Sequence, residues 1–348
     1  MIEREDVMHN EEINILFTSV GRRSYLIDYF RVALNGKGKI YATNNNELAT
    51  GLLVADQWVI SPDIYDETYI SFLLQFCKEH KIKILISLFD VDLPVLAANK
   101  DKFDEIGVKV IVSETEIVEI CNDKWKTHIF LSENGFKTPK TYLDVETALS
   151  DISRSDITFP LIVKPRWGMG SIAVHEARNE EELHFFYSRI KEEIKNSYLR
   201  YESSQSINES VLIQEKLKGQ EYGLDVINNL NSQYQTTIVK KKLAMRSGET
   251  DIAEVVDKSA LKELGKQLSS KLKHIGNMDV DVFVTDTDEA YVLELNARFG
   301  GGYPFSHMAG VDLPRAIINW SCGLCSEEDV LKESYGVRSA KNISMMKI

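Results

Sequence analysis

The sequence predicts a mixed protein, α/β in its first third and α+β beyond. Three observations carry that prediction. Over the first 120 residues short apolar runs alternate with amphipathic stretches, the pattern of βαβ units on a parallel sheet. After Pro139 the style changes to apolar strands joined by glycine-containing loops. Residues 278–296 then read as a long apolar hairpin with acids at every second position. A chain of 348 residues accommodates two or three domains, with boundaries expected at 1–120, 121–215 and 216–348.

In chain order, residues 13–17, 40–43, 58–60, 84–88 and 108–112 read as strands, with helical spacing at 23–34, 68–78 and 93–103. Ligands of such sheets bind beyond the carboxyl ends of the strands, which points to residues 19–23, 44–46 and 90–92. Gly21 followed by Arg22 and Arg23 at a helix start suits an anion, and an ordinary turn with solvated arginines suits it equally. No G-x-G-x-x-G occurs, so a dinucleotide site lacks its fingerprint. Helices follow at 114–121 and 124–134, the second closed by Gly135. The strand 159–163 ends in Lys164-Pro165, and the loop Arg166-Trp167-Gly168-Met169-Gly170-Ser171 leads to a strand at 172–175. Asn179 caps a helix whose first turn carries Glu180, Glu181 and Glu182, as the helix dipole favours. Residues 199–209 are polar and turn-rich and read as a mobile surface loop. Strands at 211–214, 221–227 and 235–242 and an amphipathic helix at 258–273 complete the order.

Composition excludes several classes. With 41 basic and 53 acidic residues the net charge is −12, which argues against sequence-independent duplex binding and against anionic membranes. No apolar run reaches the roughly 18 residues of a membrane span. Residues 1–12 are polar, without a signal-peptide core, so a cytoplasmic location is expected. Cys322 and Cys325 form an isolated C-x-x-C, read as two buried thiols near a helix end.

The hairpin carries the most chemistry. A register pairing residue 285 with 290 sets Asp281 opposite Glu294 and Asp279 opposite Asn296, all on one face. Carboxylates packed that way repel one another unless something neutralises them. An all-oxygen set with one amide suits a hard divalent cation such as Mg²⁺. A solvated acidic face is the alternative. Lys164 beside the glycine loop could clamp phosphates, the glycines letting backbone amides approach the oxygens, although a plain glycine hairpin reads the same way. No Walker A pattern occurs. Lys240, Lys241, Lys242 and Arg246 form a basic run, such as a polyphosphate site needs or a protected edge strand carries.

Taken in order, Lys124, Lys164-Pro165, Gly168-x-Gly170-Ser171, Gln214-Glu215-x-Leu217, Glu221 and Asp281…Glu294-x-Asn296-x-Arg298 resemble the ATP-grasp superfamily. The nearest likeness is to short proteins similar to the carbamoyl-phosphate synthase large subunit and to carboxylate–amine ligases. It runs from the Gly21-Arg22-Arg23 turn to Gly300-Gly301-Gly302-Tyr303-Pro304. The resemblance implies a Rossmann-like N-terminal domain followed by a two-lobed ATP-grasp domain. It implies Lys124 and Lys164 on the α- and β-phosphates and residues 168–171 as a lid over the triphosphate. Gln214, Glu215 and Leu217 would serve adenine, and Glu221 the ribose. Asp281, Glu294 and Asn296 would hold Mg²⁺, with Mn²⁺ as a substitute. Arg298 would stabilise the transferred phosphoryl group. Arg246, in a substrate-side loop at 246–250, would meet the γ-phosphate, with Lys240 as a further cation. Two departures stand out: Ala173 replaces a lid glycine, implying a stiffer lid, and Asp281 is a methylene shorter than the usual Glu or Gln.

The implied reaction is ATP-dependent joining of a small-molecule carboxylate to an amine, or to a thiol-type acceptor, through an acyl phosphate. Neither a nucleic acid nor a membrane is expected as a partner, and a homodimer is compatible with the sequence. A bicarbonate-using enzyme of the carbamoyl-phosphate or carboxylase type and a non-catalytic ATP-binding module are the alternatives.

Overall fold

The computed structural model describes residues 12–168, 170, 172–197, 199–325 and 329–347. The first sheet is parallel throughout, built from β1 (Asn14–Thr18), β2 (Ile40–Asn44), β3 (Gln57–Ile60), β4 (Ile82–Ser87) and β5 (Lys109–Val110) in the order β3-β2-β1-β4-β5. Strand order reverses between β1 and β4, and a crevice opens at the carboxyl ends of such a pair. Buried Asp92 sits there and accepts hydrogen bonds from Thr18 Oγ1 (2.5 Å), Ser87 Oγ (2.8 Å), Tyr69 OH (2.9 Å) and Ser19 Oγ (3.1 Å). It ties the two strand ends together, so its role is structural. The helix expected at 93–103 is two, Asp92–Ala98 and Lys100–Asp104. Between them the Asn99 side chain donates back to Val95 O (2.8 Å), the local competition that makes Asn a poor helix-interior residue.

A smaller antiparallel sheet follows, with β6 (Thr141–Tyr142), β7 (Leu161–Pro165), β8 (His175–Ala177) and β9 (Val211–Glu215) in the order β6-β9-β7-β8. The helix Glu180–Lys195 buries Leu183, Ile190 and Ile194, and Asn179 Oδ1 caps it by accepting from Glu182 N (2.9 Å). The strand expected at 172–175 starts only at His175 because residues 172 and 173 turn, with Ala173 at φ +53°. Residues 199–209 are not a mobile surface loop. They form the helical turns Arg200–Ser203 and Ser204–Glu209, anchored by buried Leu199.

The largest sheet is antiparallel, in the order β14-β13-β10-β11-β12-β15. Its strands are β10 (Gln220–Asn228), β11 (Tyr234–Arg246), β12 (Glu249–Val255), β13 (Gly276–Val284), β14 (Ala290–Asn296) and β15 (Arg338–Ala340). β11 continues past residue 242 and turns at Ser247 and Gly248, both at positive φ, into β12. The stretch 246–250 is therefore a hairpin turn rather than an open substrate loop. The helix Ser259–Leu272 covers one face of this sheet, and Gly265 lets it approach closely, since a Cβ there would lie 2.3 Å from Thr237 Oγ1. An aromatic chain joins the first sheet to the glycine run: ring centroids are 5.1 Å apart for Phe17–Phe30, 5.9 Å for Phe30–Phe299 and 4.8 Å for Phe299–Tyr303. Cys322 and Cys325 lie past the helix Leu313–Ser321 and are not two buried thiols: Cys322 is half-buried and Cys325 exposed. Among the described residues no helix is long and apolar enough to cross a membrane.

Candidate active site

The two antiparallel sheets line one cleft of about 480 Å³, a size typical of small-molecule sites, and the first domain adds Arg23 to it. Its floor is a face of the largest sheet. Lys240, Gly223, Asp281 and Glu294 form one transverse row across β11, β10, β13 and β14, and Asp225, Asp279 and Asn296 form the next. The expected pairing of Asp281 with Glu294 and of Asp279 with Asn296 is present. It arises differently from the expectation. Near the turn Val284 pairs with Ala290, one residue out of the expected register, and an extra residue at Leu293 restores it at the acids. Such a bulge re-aims side chains, and both Leu293 and Glu294 line the cleft.

The acids are neutralised first by lysines. Lys242 Nζ bridges Asp281 Oδ1 (2.6 Å) and Glu221 Oε1 (2.5 Å). Lys240 Nζ, fully buried, pairs with Asp225 Oδ2 (2.5 Å). Both lysines cross the bare backbone of Gly223, where a Cβ would lie 3.5 Å from the Cε atoms of each. Lys240 therefore props the floor and is not free to hold a phosphate. Lys124 Nζ lies 3.0 Å from Glu294 Oε1 and also donates to Gly168 O, tying the glycine loop to the floor. Burial disfavours ionised Glu294, but Lys124 and Lys164 outweigh it and hold the carboxyl below the usual range. Asp279 goes the other way: burial, reinforced by Asp281 and Asp225 against Lys240, lifts its carboxyl to about 6. Gly300 rests on that carboxylate, where a Cβ would come within 2.1 Å of Asp279 Cγ.

Lys164 Nζ donates to Gln214 Oε1 (2.8 Å), so Gln214 orients the lysine instead of facing a base. Glu215, Leu217 and Glu221 line the cleft with Gly168 and Gly170. Gly168 has φ +118°, and a Cβ would meet Leu199 Cδ2 at 2.9 Å, so glycine is required there. Ser171 lies outside the described residues. Ala173, in place of a glycine, occupies the left-handed region at a cost of roughly 1 kcal/mol. Arg298 Nη2 pairs with Asp90 Oδ2 (2.8 Å), and Asn296 Oδ1 accepts from the same nitrogen (3.2 Å). Arg246 is not brought into the cleft: its exposed side chain pairs with Asp251 Oδ2 (2.7 Å), because β11 carries it beyond the floor.

Among the described residues no three His, Cys, Asp or Glu side chains form a metal cluster. Asp281 and Glu294 each give one oxygen to a lysine, and among the described residues their other oxygens accept no hydrogen bond. With Asn296 alongside, that donor set fits Mg²⁺, which takes one or two carboxylates and completes its shell with water and phosphate.

Sequence reasoning gave four site residues no role of their own. Lys242 shares a strand face with Lys240, a signal that period-two counting contains. Asp123 and Arg166 form a buried bidentate pair, Nε–Oδ1 and Nη2–Oδ2 both 2.7 Å, behind Lys124; no local pattern announces it. Glu202, from the segment read as a loop, lines a side cavity with Asp90, Lys124 and Glu294. Its Oε2 is buried without a partner, and burial, with Asp90 adding, pushes the carboxyl up to about 7.

An ATP-grasp domain model matches residues 121–302, more than half of the chain. The chain belongs to the ATP-grasp family. A second model, the PylC-like N-terminal domain, matches residues 15–111. The fold is shared with a biotin carboxylase–β,γ-ATP complex from Campylobacter jejuni (TM-score 0.71, 15% identity, 94% of this chain and 74% of that one). An L-amino acid ligase from Bacillus licheniformis gives 0.70 at 17% identity over 92% and 78% of the two chains. N5-carboxyaminoimidazole synthetase from Staphylococcus aureus gives 0.67 at 17% over 90% and 78%. As an ATP-grasp protein the chain is an ATP-dependent enzyme of the ligase type, with ATP and Mg²⁺ as its cofactors.

This ATP-grasp cleft has a titratable lysine. Burial lowers the Lys164 ammonium to about 8, with Lys124 opposing its charge and Glu294 and Asp281 supporting it. A lysine so depressed is cationic below that pH and neutral above it. ATP capture, read as kcat/KM for ATP, is expected to fall about tenfold per pH unit above 8. Lys164→Met should remove that limb from the profile; an unchanged limb would assign it to another group.

Proposed function

We propose that this ATP-grasp protein is a carboxylate–amine ligase working through an acyl phosphate. A substrate carboxylate oxygen attacks the γ-phosphorus, the bond from that phosphorus to the β–γ bridging oxygen breaks, and ADP leaves. The amine nitrogen then attacks the acyl carbon, the carbon–oxygen bond to phosphate breaks, and the nitrogen gives up a proton as the amide forms. Mg²⁺, held by Asp281, Glu294 and Asn296, supplies charge neutralisation on the phosphates. Lys124 and Lys164 hold the α- and β-phosphates, Glu221 and the backbone around Glu215 and Leu217 receive the nucleoside, and Arg298 stabilises charge on the transferred group. Positioning and electrostatics of this kind account for most of phosphoryl-transfer catalysis. The lid carrying Gly168 and Gly170 would exclude water from the acyl phosphate.

One observation supports this reading above the others. Lys124, Lys164 and Arg298 converge on a cleft whose floor pairs Asp281 with Glu294, and none of the groups on that floor is a nucleophile with a base beside it. The test is ADP and phosphate release across a panel of acids and amines. Release that requires both an acid and an amine is expected. Turnover stimulated by bicarbonate alone would move the enzyme to the carboxylase type, and tight ATP binding without turnover would make it a binding module.

A further inference from the structure

Arg23 lines the cleft, and the reaction above does not use it. Its Nη1 donates to Phe299 O (2.6 Å), and the Arg298 Nη1 donates to the same carbonyl (3.2 Å). Two guanidinium groups thus converge on one oxygen. Arg298 has a counter-ion in Asp90. Arg23 has none within ion-pair distance among the described residues: the acid nearest in influence beyond Asp90 is Glu249, which is committed to Lys341 (2.9 Å). A guanidinium carries five N–H donors, and among the described residues this one uses a single Nη1 bond in a partly buried position lining the cleft. A buried cation beside a second cation is costly unless an anion joins them. The backbone of the Gly21-Arg22-Arg23 turn does not meet that need, since Gly21 N donates to Asn44 Oδ1 (3.2 Å) and Arg23 N to Val20 O (3.0 Å). The Arg23 side chain is what the first domain presents to the cleft.

We propose that Arg23 holds a second carboxylate of the acid substrate, so that the enzyme activates a short dicarboxylic acid with one carboxylate at Arg298 and the other at Arg23. This rests on the ligase reading. The shared Phe299 carbonyl sets the two guanidinium groups a few ångströms apart, which suits two carboxylates joined by a short spacer. Arginine suits the role because its planar fork binds a carboxylate through two parallel hydrogen bonds. The same group could instead belong to the amine partner, as the carboxylate of an amino acid.

Matched pairs test it: succinate against butyrate and glutarate against valerate, each with an amine lacking a carboxylate and again with an amino acid. Two readouts are taken, the rise in melting temperature of the ADP·Mg²⁺-saturated protein and the rate of ADP release. The diacids are expected to stabilise the protein where the monoacids do not, and to be favoured about 10²-fold in kcat/KM. Arg23→Gln should collapse that ratio toward one with KM for ATP held, and Arg23→Lys should restore part of it. An equal loss for monoacids and diacids would place Arg23 on the activated group and overturn the proposal. So would a preference that appears only when the amine carries the carboxylate. Diacid stabilisation lost in Arg23→Gln, with no turnover for any acid in either protein, would support the anion site and count against the ligase chemistry alone.

Discussion

Glu294→Ala should lower ATP-dependent turnover by about 10³-fold while the protein still folds. Glu294 occupies the pivot of the cleft. It faces Asp281 across the hairpin, lies 3.0 Å from Lys124 and supports the charge of Lys164. Alanine removes the carboxylate proposed above to hold Mg²⁺ and also the charge that holds two lysines together. Those lysines then repel each other, so a fall of a few degrees in melting temperature accompanies the loss of activity. The strand itself keeps Val292 and Leu295 in the core, so the sheet persists. ADP release with thermal melting on the same sample separates the two effects. Unchanged turnover would remove Glu294 from the metal and phosphate machinery; an unfolded product would mean that the residue serves mainly the sheet.

The largest expected loss of stability is elsewhere, at Asp123→Ala. Asp123 is buried, accepts two hydrogen bonds from Arg166 at 2.7 Å, and caps the helix Lys124–Glu133 by accepting from Trp125 N (3.0 Å) and Lys126 N (3.3 Å). Alanine deletes the cap and leaves the buried Arg166 guanidinium with the more exposed Glu209 (3.1 Å) as its remaining ion pair among the described residues. Breaking one side of a buried pair costs about 3–5 kcal/mol. Because Lys124 follows directly and its amide donates to Arg166 O (3.3 Å), nucleotide affinity should fall in parallel. Urea denaturation reads the first effect and ADP titration the second. A loss below about 1 kcal/mol would show that water replaces the carboxylate there.

How far the site was legible in the sequence depends on the range of the interaction. Strand alternation is local, so Asp279 and Asp281 could be counted onto one face of their strand, and Glu294 and Asn296 onto one face of theirs. The extra residue at Leu293 could not, because alternation carries no information about which strand bulges; the register at the acids agreed only because the offset near the turn and the bulge cancel. Lys240 looked like a phosphate ligand because a basic run in an acidic protein draws attention to its charge. Its burial against Asp225 depends on the bare backbone of Gly223 one strand away. The family resemblance sets Arg246 at the γ-phosphate; β11 runs on to residue 246 and carries it past the cleft. The segment 199–209 read as a loop on polarity, yet Leu199 is buried against Gly168 and draws it into helical turns.

By itself the sequence determined the parallel first sheet, the order of lysines, glycines and acids from Lys124 to Arg298, and the shared face of Asp279 with Asp281 on one strand and of Glu294 with Asn296 on the other. Each of these follows from spacing along one strand or from residue order. Only the tertiary structure decided which cation neutralises which acid, that Arg166 locks Asp123 behind Lys124, and that Arg23 from the first helix meets Arg298 at the Phe299 carbonyl. Those pairings join residues far apart in the chain, and charge attraction acts on distance in space, which periodicity does not encode.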